Sequence, residues 1–367
     1  MPSPQPLRVA VFSCGPVEGR MKTELGFTAG AEGTREIFHK FLIENPRVAN
    51  PLDPNQKIFN PELAVIANGL QTIVYDVLGD GEPVPTDAPI FDENDPRLPS
   101  EDALDTIDAI FVSGSGTSVR YVEDPIKRGQ WEGKIRRVQR YLRFVIDNHP
   151  RIKVVGICFG HQILSFASGH AVDRNPKGWE VGPKNVTMTD LGKSVFQKGV
   201  LVIQQLHQDH VLLNVEVGGI GDSGSGGYGA TPRSGSTRSS DEVVIDRDIT
   251  PLDGLSRWGQ SDLTWNQGMI KIPEDVVDDL DDPKLHLEAL EKVHIFTSQG
   301  HPELDRDMIR VLIEDEMEPY VSGGIPADRA LAALARNEDK NIEINVDDLA
   351  IVCWQMLKGA WDAKNAA

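Results

Sequence analysis

Short apolar runs alternate with stretches of helical periodicity through the first half of the chain. Leu7 to Phe12, Gln71 to Val77, Asp108 to Val112 and Arg151 to Val155 are too short for buried helices, and most end at turn-forming residues, as strands of a sheet covered on both faces do. Between them, Arg35 to Ile43 places Ile37, Phe38, Phe41 and Leu42 on one helical face. Trp131 to Ile146 does the same with Ile135, Val138, Leu142 and Val145, on an otherwise basic helix. Strand and helix alternating in this way predict an α/β fold, a mostly parallel central sheet flanked by helices, with ligands at the carboxyl ends of the strands. Leu78 to Asp102, rich in Gly, Pro, Asp and Glu, reads as surface loop.

Beyond residue 178 the pattern changes. Gly178 to Met188 reads as antiparallel strand broken at Gly182-Pro183, and Val200 to Gln205 as another strand. Gly218 to Asp241, dominated by Gly, Ser, Thr and Arg, has too little apolar surface to pack and reads as a disordered or mobile insertion. Val293 to Phe296 is the last clear strand, followed by helices over Arg310 to Glu318, Asp328 to Ala335 and Val346 to Lys358. The last of these, with Trp354 and Leu357, and Trp361 beyond it as packing residues, reads as decoration on the main body.

Composition narrows the function. A net charge of -19, with 56 acidic against 37 basic residues, argues against nucleic acid, whose phosphates need a basic face. The acids at Glu274, Asp275, Asp278, Asp279, Asp281 and Asp282 lack calcium-loop spacing and read as a solvated face. Cys14, Cys158 and Cys353 are too few and too scattered for a disulfide framework, and no C-x-x-C spacing suggests a metal. With no leader pattern and no apolar run of membrane-spanning length, the expectation is a cytosolic protein without membrane, metal or cofactor.

Candidate chemistry lies at three strand ends. In Gly156-Ile157-Cys158-Phe159-Gly160, the glycines remove the Cβ atoms that clash in a sharp strand-to-helix turn. Such a turn presents the cysteine at a helix N-terminus, where free N–H groups favour a thiolate and receive an oxyanion. After Val293 to Phe296 comes Gln299-Gly300-His301-Pro302-Glu303, where Glu303 is placed to engage one imidazole nitrogen of His301 and leave the other for a thiol. Ser113 to Ser118 (SGSGTS) follows a strand but lacks both common phosphate-loop patterns.

The motifs G-x-C-x-G-x-Q at 156–162, H-x-D at 207–209 and Q-G-H-P-E at 299–303 together resemble the triad-type class I glutamine amidotransferase family, over roughly residues 8 to 312. Trp258 to Asp262 and Asn266 to Met269 are similar to the segment before the last strand in glutaminase domains of guanosine-monophosphate synthase and in plant γ-glutamyl peptidases. The resemblance implies a flavodoxin-like amidotransferase domain over 1–312, with insertions at about 218–241 and 272–290, and a helical C-terminal extension over 313–367. It implies Cys158 as nucleophile, His301 as general base and acid, and Glu303 as its orienter. An oxyanion site would lie between N–H groups of Phe159 and of Gly114-Ser115. Gln162 would line the glutamyl pocket, with His207, Gln208 and Asp209 gripping the amino-acid end of the substrate. Asp209 reads equally as a turn or cap residue.

The implied activity is cleavage of a γ-glutamyl amide through a thioester, in glutamine, a γ-glutamyl peptide or a glutathione-type conjugate. No ATP-pyrophosphatase loop is present and residues 313–367 are too few for a synthetase domain, so a stand-alone hydrolase or transferase is expected. The alternatives are a glutaminase subunit supplying ammonia to a separate synthetase, and a non-catalytic binding or regulatory module.

Overall fold

In the computed structural model, residues 4–50, 53–79, 81–213, 251–317 and 324–366 are described; side chains are described for these except 49–56. The segment 218–241 lies outside the described residues.

The chain runs β1 (Arg8–Ser13), α1 (Gly19–Thr23), α2 (Ala31–Glu44), β2 (Arg47–Asn50), β3 (Asp53–Phe59), α3 (Pro61–Asn68), β4 (Gln71–Asp76), α4 (Glu101–Leu104), β5 (Ala109–Val112) and α5 (Arg128–Asn148). It continues through β6 (Lys153–Ile157), α6 (Phe159–Ala167), β7 (Ala171–Arg174), β8 (Glu180–Met188), α7 (Asp190–Phe196), β9 (Val200–His207) and β10 (Asp209–Leu212). After the undescribed segment come β11 (Leu255–Arg257), β12 (Gly259–Gln260), β13 (Met269–Lys271), α8 (His286–Glu291), β14 (Ile295–Ser298), α9 (Arg306–Asp315), α10 (Ala327–Glu338) and α11 (Val346–Asn365).

Seven strands form the central sheet in the order β11-β13-β14-β6-β5-β1-β4, and the five from β14 to β4 are parallel. Numbered among themselves, those five run 2-1-3-4-5, the flavodoxin-like order, with the antiparallel pair β13 and β11 added beside β14. The mostly parallel sheet with flanking helices is therefore as the periodicity predicts. Strands β5 and β6 are buried at every position, which is why they read as unbroken apolar runs. Edge strand β4 is only half covered.

Three features depart from the pattern. The β2–β3 hairpin, absent from the apolar periodicity, forms a two-stranded sheet of its own. Strand β8 is unbroken from Glu180 to Met188. Gly182 takes φ +72° and Pro183 pairs with Gln204 on β9, while β12 meets β8 only at Thr187 and Met188. At Pro183 one side of β8 is thus unpaired, and the missing N–H costs no ladder bond. Helix α11, expected as decoration, lies in the core: Leu349 to Leu357 are buried without interruption, packed with β1, β6 and β14 residues, and the Trp354 indole donates to the Leu42 carbonyl at 3.0 Å. A helix apolar all round needs cover all round. Trp361 packs, partly buried, against the same core.

The basic residues of α5 secure the long loop before β5. The Lys134 ammonium sits on the Leu78 and Gly79 carbonyls, Arg137 on Pro89 and Asp95, and Arg140 on Thr86 and Ala88. The acidic stretch beyond Ile272 turns its charges outward while Val276 and Leu280 reach the core.

Candidate active site

The carboxyl ends of β5, β6 and β14 converge. β6 delivers Cys158, and α6 begins at the next residue. Cys158 holds φ +53° and ψ -105°, a conformation that costs an L-residue roughly 1–3 kcal/mol unless its surroundings enforce it. They do: the Cys158 N–H donates to the Ser298 carbonyl at 2.7 Å, and its carbonyl accepts from the Gln162 N–H at 3.0 Å. A Cβ on Gly156 would lie 2.5 Å from the Gly160 oxygen, and one on Gly160 would lie 2.1 Å from the Val112 oxygen. The glycines thus let the turn close on itself and let α6 dock on β5, where the Gly160 N–H meets the Ser113 carbonyl at 3.1 Å.

β14 carries the histidine. Its continuation is tied down by the backbone: Gln299 N–H to Gln267 O at 2.9 Å and His301 N–H to Gln204 O at 2.8 Å. The His301 Nδ1–H donates to Glu303 Oε1 at 2.8 Å, both side chains being buried. Nε2 has no hydrogen-bond partner among the described residues. Burial alone would lower the His301 pKa, but the Glu303 carboxylate and the Cys158 thiol beside it raise it well above the usual imidazole value. Gly114 fits between these groups, since a Cβ there would stand 2.9 Å from His301 Cε1 and 3.5 Å from Cys158 Cβ. Any side chain at 114 would displace the imidazole.

The loop holding Gly114 is braced by its own hydroxyls. Ser113 Oγ accepts from the Cys14 N–H at 2.9 Å and donates to the Gly114 carbonyl at 2.9 Å. Ser115 Oγ donates to the Cys14 carbonyl at 2.6 Å and accepts from the Thr117 N–H at 2.9 Å. The N–H groups of Gly114, Ser115 and Phe159 meet no acceptor among the described residues. Free donors beside a thiol suit an incoming carbonyl oxygen.

The remaining sequence candidates divide. Gln162, one turn into α6, donates through Nε2 to the Asp209 carbonyl at 3.4 Å and to Gln299 Oε1 at 3.3 Å, so it borders the same space. The Asp209 carboxylate accepts from Ser118 Oγ; burial raises its pKa, with Ser118, Arg120, Arg174 and His207 acting against the rise. His207 faces the protein instead, Nδ1 meeting the Asp209 carbonyl at 3.0 Å and Nε2 lying 3.2 Å from Glu180 Oε2. The Gln208 side chain turns away to accept from Arg174 at 2.6 Å.

Residues that the motifs missed are Glu180 and those of the C-terminal helix. Burial pushes the Glu180 carboxyl up, but His207, Ser261 and Thr264 outweigh it and leave its pKa below the usual range; Gln267 Nε2 donates to it at 2.9 Å. Its only sequence signal is an acid within an otherwise inward-facing strand. Cys353 of α11 lies near enough to Glu303 for that charge to add to the rise of its pKa, which burial drives to about 12.

Fold and site together define the class: a flavodoxin-order α/β protein presenting a buried cysteine, at a strained strand-to-helix turn, to a histidine paired with a carboxylate. The chain is similar in sequence to glutamine amidotransferase-like proteins and γ-glutamyl peptidases. A glutamine amidotransferase-like protein of Schizosaccharomyces pombe is 35% identical over 117 residues, 32% of this chain and 44% of that protein. The γ-glutamyl peptidase 3 of Arabidopsis thaliana is 31% identical over 130 residues, 34% of this chain and 48% of the peptidase. The chain thus matches less than half the length of these curated relatives. Among solved structures, a glutamine amidotransferase from Thermotoga maritima aligns over 97% of this chain and 98% of its own, with a TM-score of 0.46 at 13% identity. No family model matches the chain. Among the described residues no helix is long and apolar enough to cross a membrane.

Proposed function

We propose that the protein is a stand-alone, cysteine-dependent γ-glutamyl hydrolase or peptidase working through a γ-glutamyl thioester on Cys158. The observation that carries this reading is the buried His301, held by Glu303 at 2.8 Å, its Nε2 unpartnered and its pKa raised in part by Cys158. The kinship with γ-glutamyl peptidases supports the bond type.

In the first half-reaction the thiol proton passes to His301 and the thiolate attacks the γ-carbonyl. The oxyanion is received by the N–H groups of Phe159 and the Gly114-Ser115 loop, donors worth about 10²–10³ in rate each in comparable sites. The imidazolium then protonates the leaving amine as the carbon–nitrogen bond breaks, giving the thioester. In the second, His301 takes a proton from water, hydroxide attacks the thioester, and the thiol leaves with glutamate. Glu303 stabilises the imidazolium throughout. Gln162 and Asp209 border the glutamyl moiety, while His207 and Gln208 hold the Asp209 strand in place.

The test is mass spectrometry of the wild-type chain, acid-quenched during turnover of glutamine, glutathione and γ-glutamyl conjugates, with Cys158→Ala as the blank. A glutamyl adduct on Cys158 is expected; absence of adduct with every donor overturns the chemistry. Glutamate release by the wild-type chain alone is expected without ATP, whereas release only with an added synthetase points to ammonia delivery.

A further inference from the structure

Arg120 stands beside this site, its guanidinium within ion-pair range of Asp173 but making no hydrogen bond among the described residues. It lies in the short 3-10 turn Val119–Val122 that leaves the Gly114 loop. Its own N–H donates to Ser118 Oγ at 3.1 Å, and that hydroxyl in turn donates to Asp209. The nearest acid, Asp173, is 3.4 Å from Nε, close enough for an ion pair but without hydrogen-bond alignment, and Nε is buried. Among the described residues the guanidinium makes no hydrogen bond. Arg174, which like Arg120 acts on Asp209, is satisfied by Gln208 at 2.6 Å. A buried Nε without a hydrogen bond is uncommon, and the guanidinium fork it belongs to matches a planar carboxylate.

We propose that Arg120 binds the α-carboxylate of the γ-glutamyl substrate, beside Asp209, which takes the α-ammonium. The assignment rests on the γ-glutamyl reading and makes Arg120 its specificity residue: substrates carry a free amino-acid end. Distance supports it. Gln162 sits one helical turn, about 5.4 Å, beyond Cys158 and donates to the Asp209 backbone, and the four bonds from γ-carbonyl to α-carboxylate carbon cover a similar span. Ser118 links the two residues, its hydroxyl accepting from the Arg120 N–H and donating to the Asp209 carboxylate. Asp173, 3.4 Å from Nε, partly balances the Arg120 charge.

The test compares L-glutamine with L-glutamine methyl ester, which differ in the charge at the proposed contact. Binding is measured by calorimetry on the full chain carrying Cys158→Ala, and KM on the chain with Cys158 intact. Glutamine is expected to bind roughly 10- to 100-fold tighter than the ester, the range for a charge-assisted contact. Arg120→Gln is expected to erase that preference with kcat at saturation nearly unchanged, and Arg120→Lys to restore part of it. A purely structural Arg120 would lower the melting temperature and leave the acid-to-ester ratio alone. An unchanged ratio in Arg120→Gln, with the Cys158 adduct still forming, overturns the role of Arg120 and leaves the cysteine chemistry standing. No adduct with any γ-glutamyl donor overturns both.

Discussion

Cys14 and Cys158 both follow buried parallel strands, at the carboxyl ends of neighbouring parts of one sheet, and both are themselves buried. Both thiols reach a backbone carbonyl, Cys158 that of Leu206 at 3.9 Å, but their turns and neighbouring side chains differ. Cys14 leads into Gly15-Pro16, donates its thiol weakly to the Phe12 carbonyl at 3.7 Å, and is pushed far up in pKa by burial, with Asp76 adding to the rise. Cys158 is bent to positive φ at the head of a nine-residue helix and faces an imidazole held by a carboxylate. Position at a strand end is therefore not enough. A nucleophile also needs the strained turn that turns it outward and the base that takes its proton.

The largest test of this contrast is chemical. Glu303→Gln removes the charge that stabilises the His301 imidazolium, and a fall of roughly 10²–10⁴ in kcat/KM is expected, the range for general acid–base catalysis. Cys14→Ala, in a steady-state assay of glutamate release, is expected to leave the rate nearly unchanged; comparable losses in both variants would break the distinction. The pH dependence has a definite sign. The raised pKa of His301 contributes stability that is fully present below about 6.5, the unfolded value, and is lost as pH rises through the higher folded value. In Glu303→Gln that alkaline loss should begin at lower pH, read as melting temperature against pH.

A smaller effect concerns the elbow's glycines. Gly160→Ala puts a Cβ 2.1 Å from the Val112 oxygen, so α6 must move off β5, at a cost of about 1–3 kcal/mol in urea denaturation. Gly116, whose Cβ would meet nothing within 4 Å, is the control, and Gly116→Ala should cost far less.

The smallest effect isolates the strain itself. Cys158→Gly and Cys158→Ala both lack the thiol, but only alanine keeps the penalty of positive φ at this position. The glycine variant is expected to be the more stable by about 1 kcal/mol, because released strain exceeds the added flexibility of the unfolded chain. Equal stabilities would mean that the turn is relaxed and that its geometry stores nothing.

The strand-to-helix turn at Cys158 was legible because its geometry is written in adjacent residues: two glycines, an apolar run before them and a helical pattern after. The pairing of His301 with Glu303 was legible for the same reason, two residues apart across a proline. Helix α11 was misread as decoration because its neighbours β6, α2, α3 and α8 lie from about 55 to about 300 residues away, and periodicity carries no record of what a helix packs against. Glu180 and Arg120 were invisible because each is defined by its surroundings. One lies 3.2 Å from His207 on the neighbouring strand; the other keeps a buried Nε without a hydrogen bond.

By itself, then, the amino-acid order determined local conformation and the candidate groups: period-two and period-3.6 patterns, glycines where the chain must turn, and Cys158, His301 and Glu303 at strand ends. The tertiary structure alone decided which of these groups meet. It brought the ends of β5, β6 and β14 to one place, left the Gly114, Ser115 and Phe159 donors free, and set Arg120 beside Asp209. The physical reason is range. Backbone propensity and sterics act over a few residues, whereas burial, pKa shifts and hydrogen-bond satisfaction depend on atoms that only packing brings together.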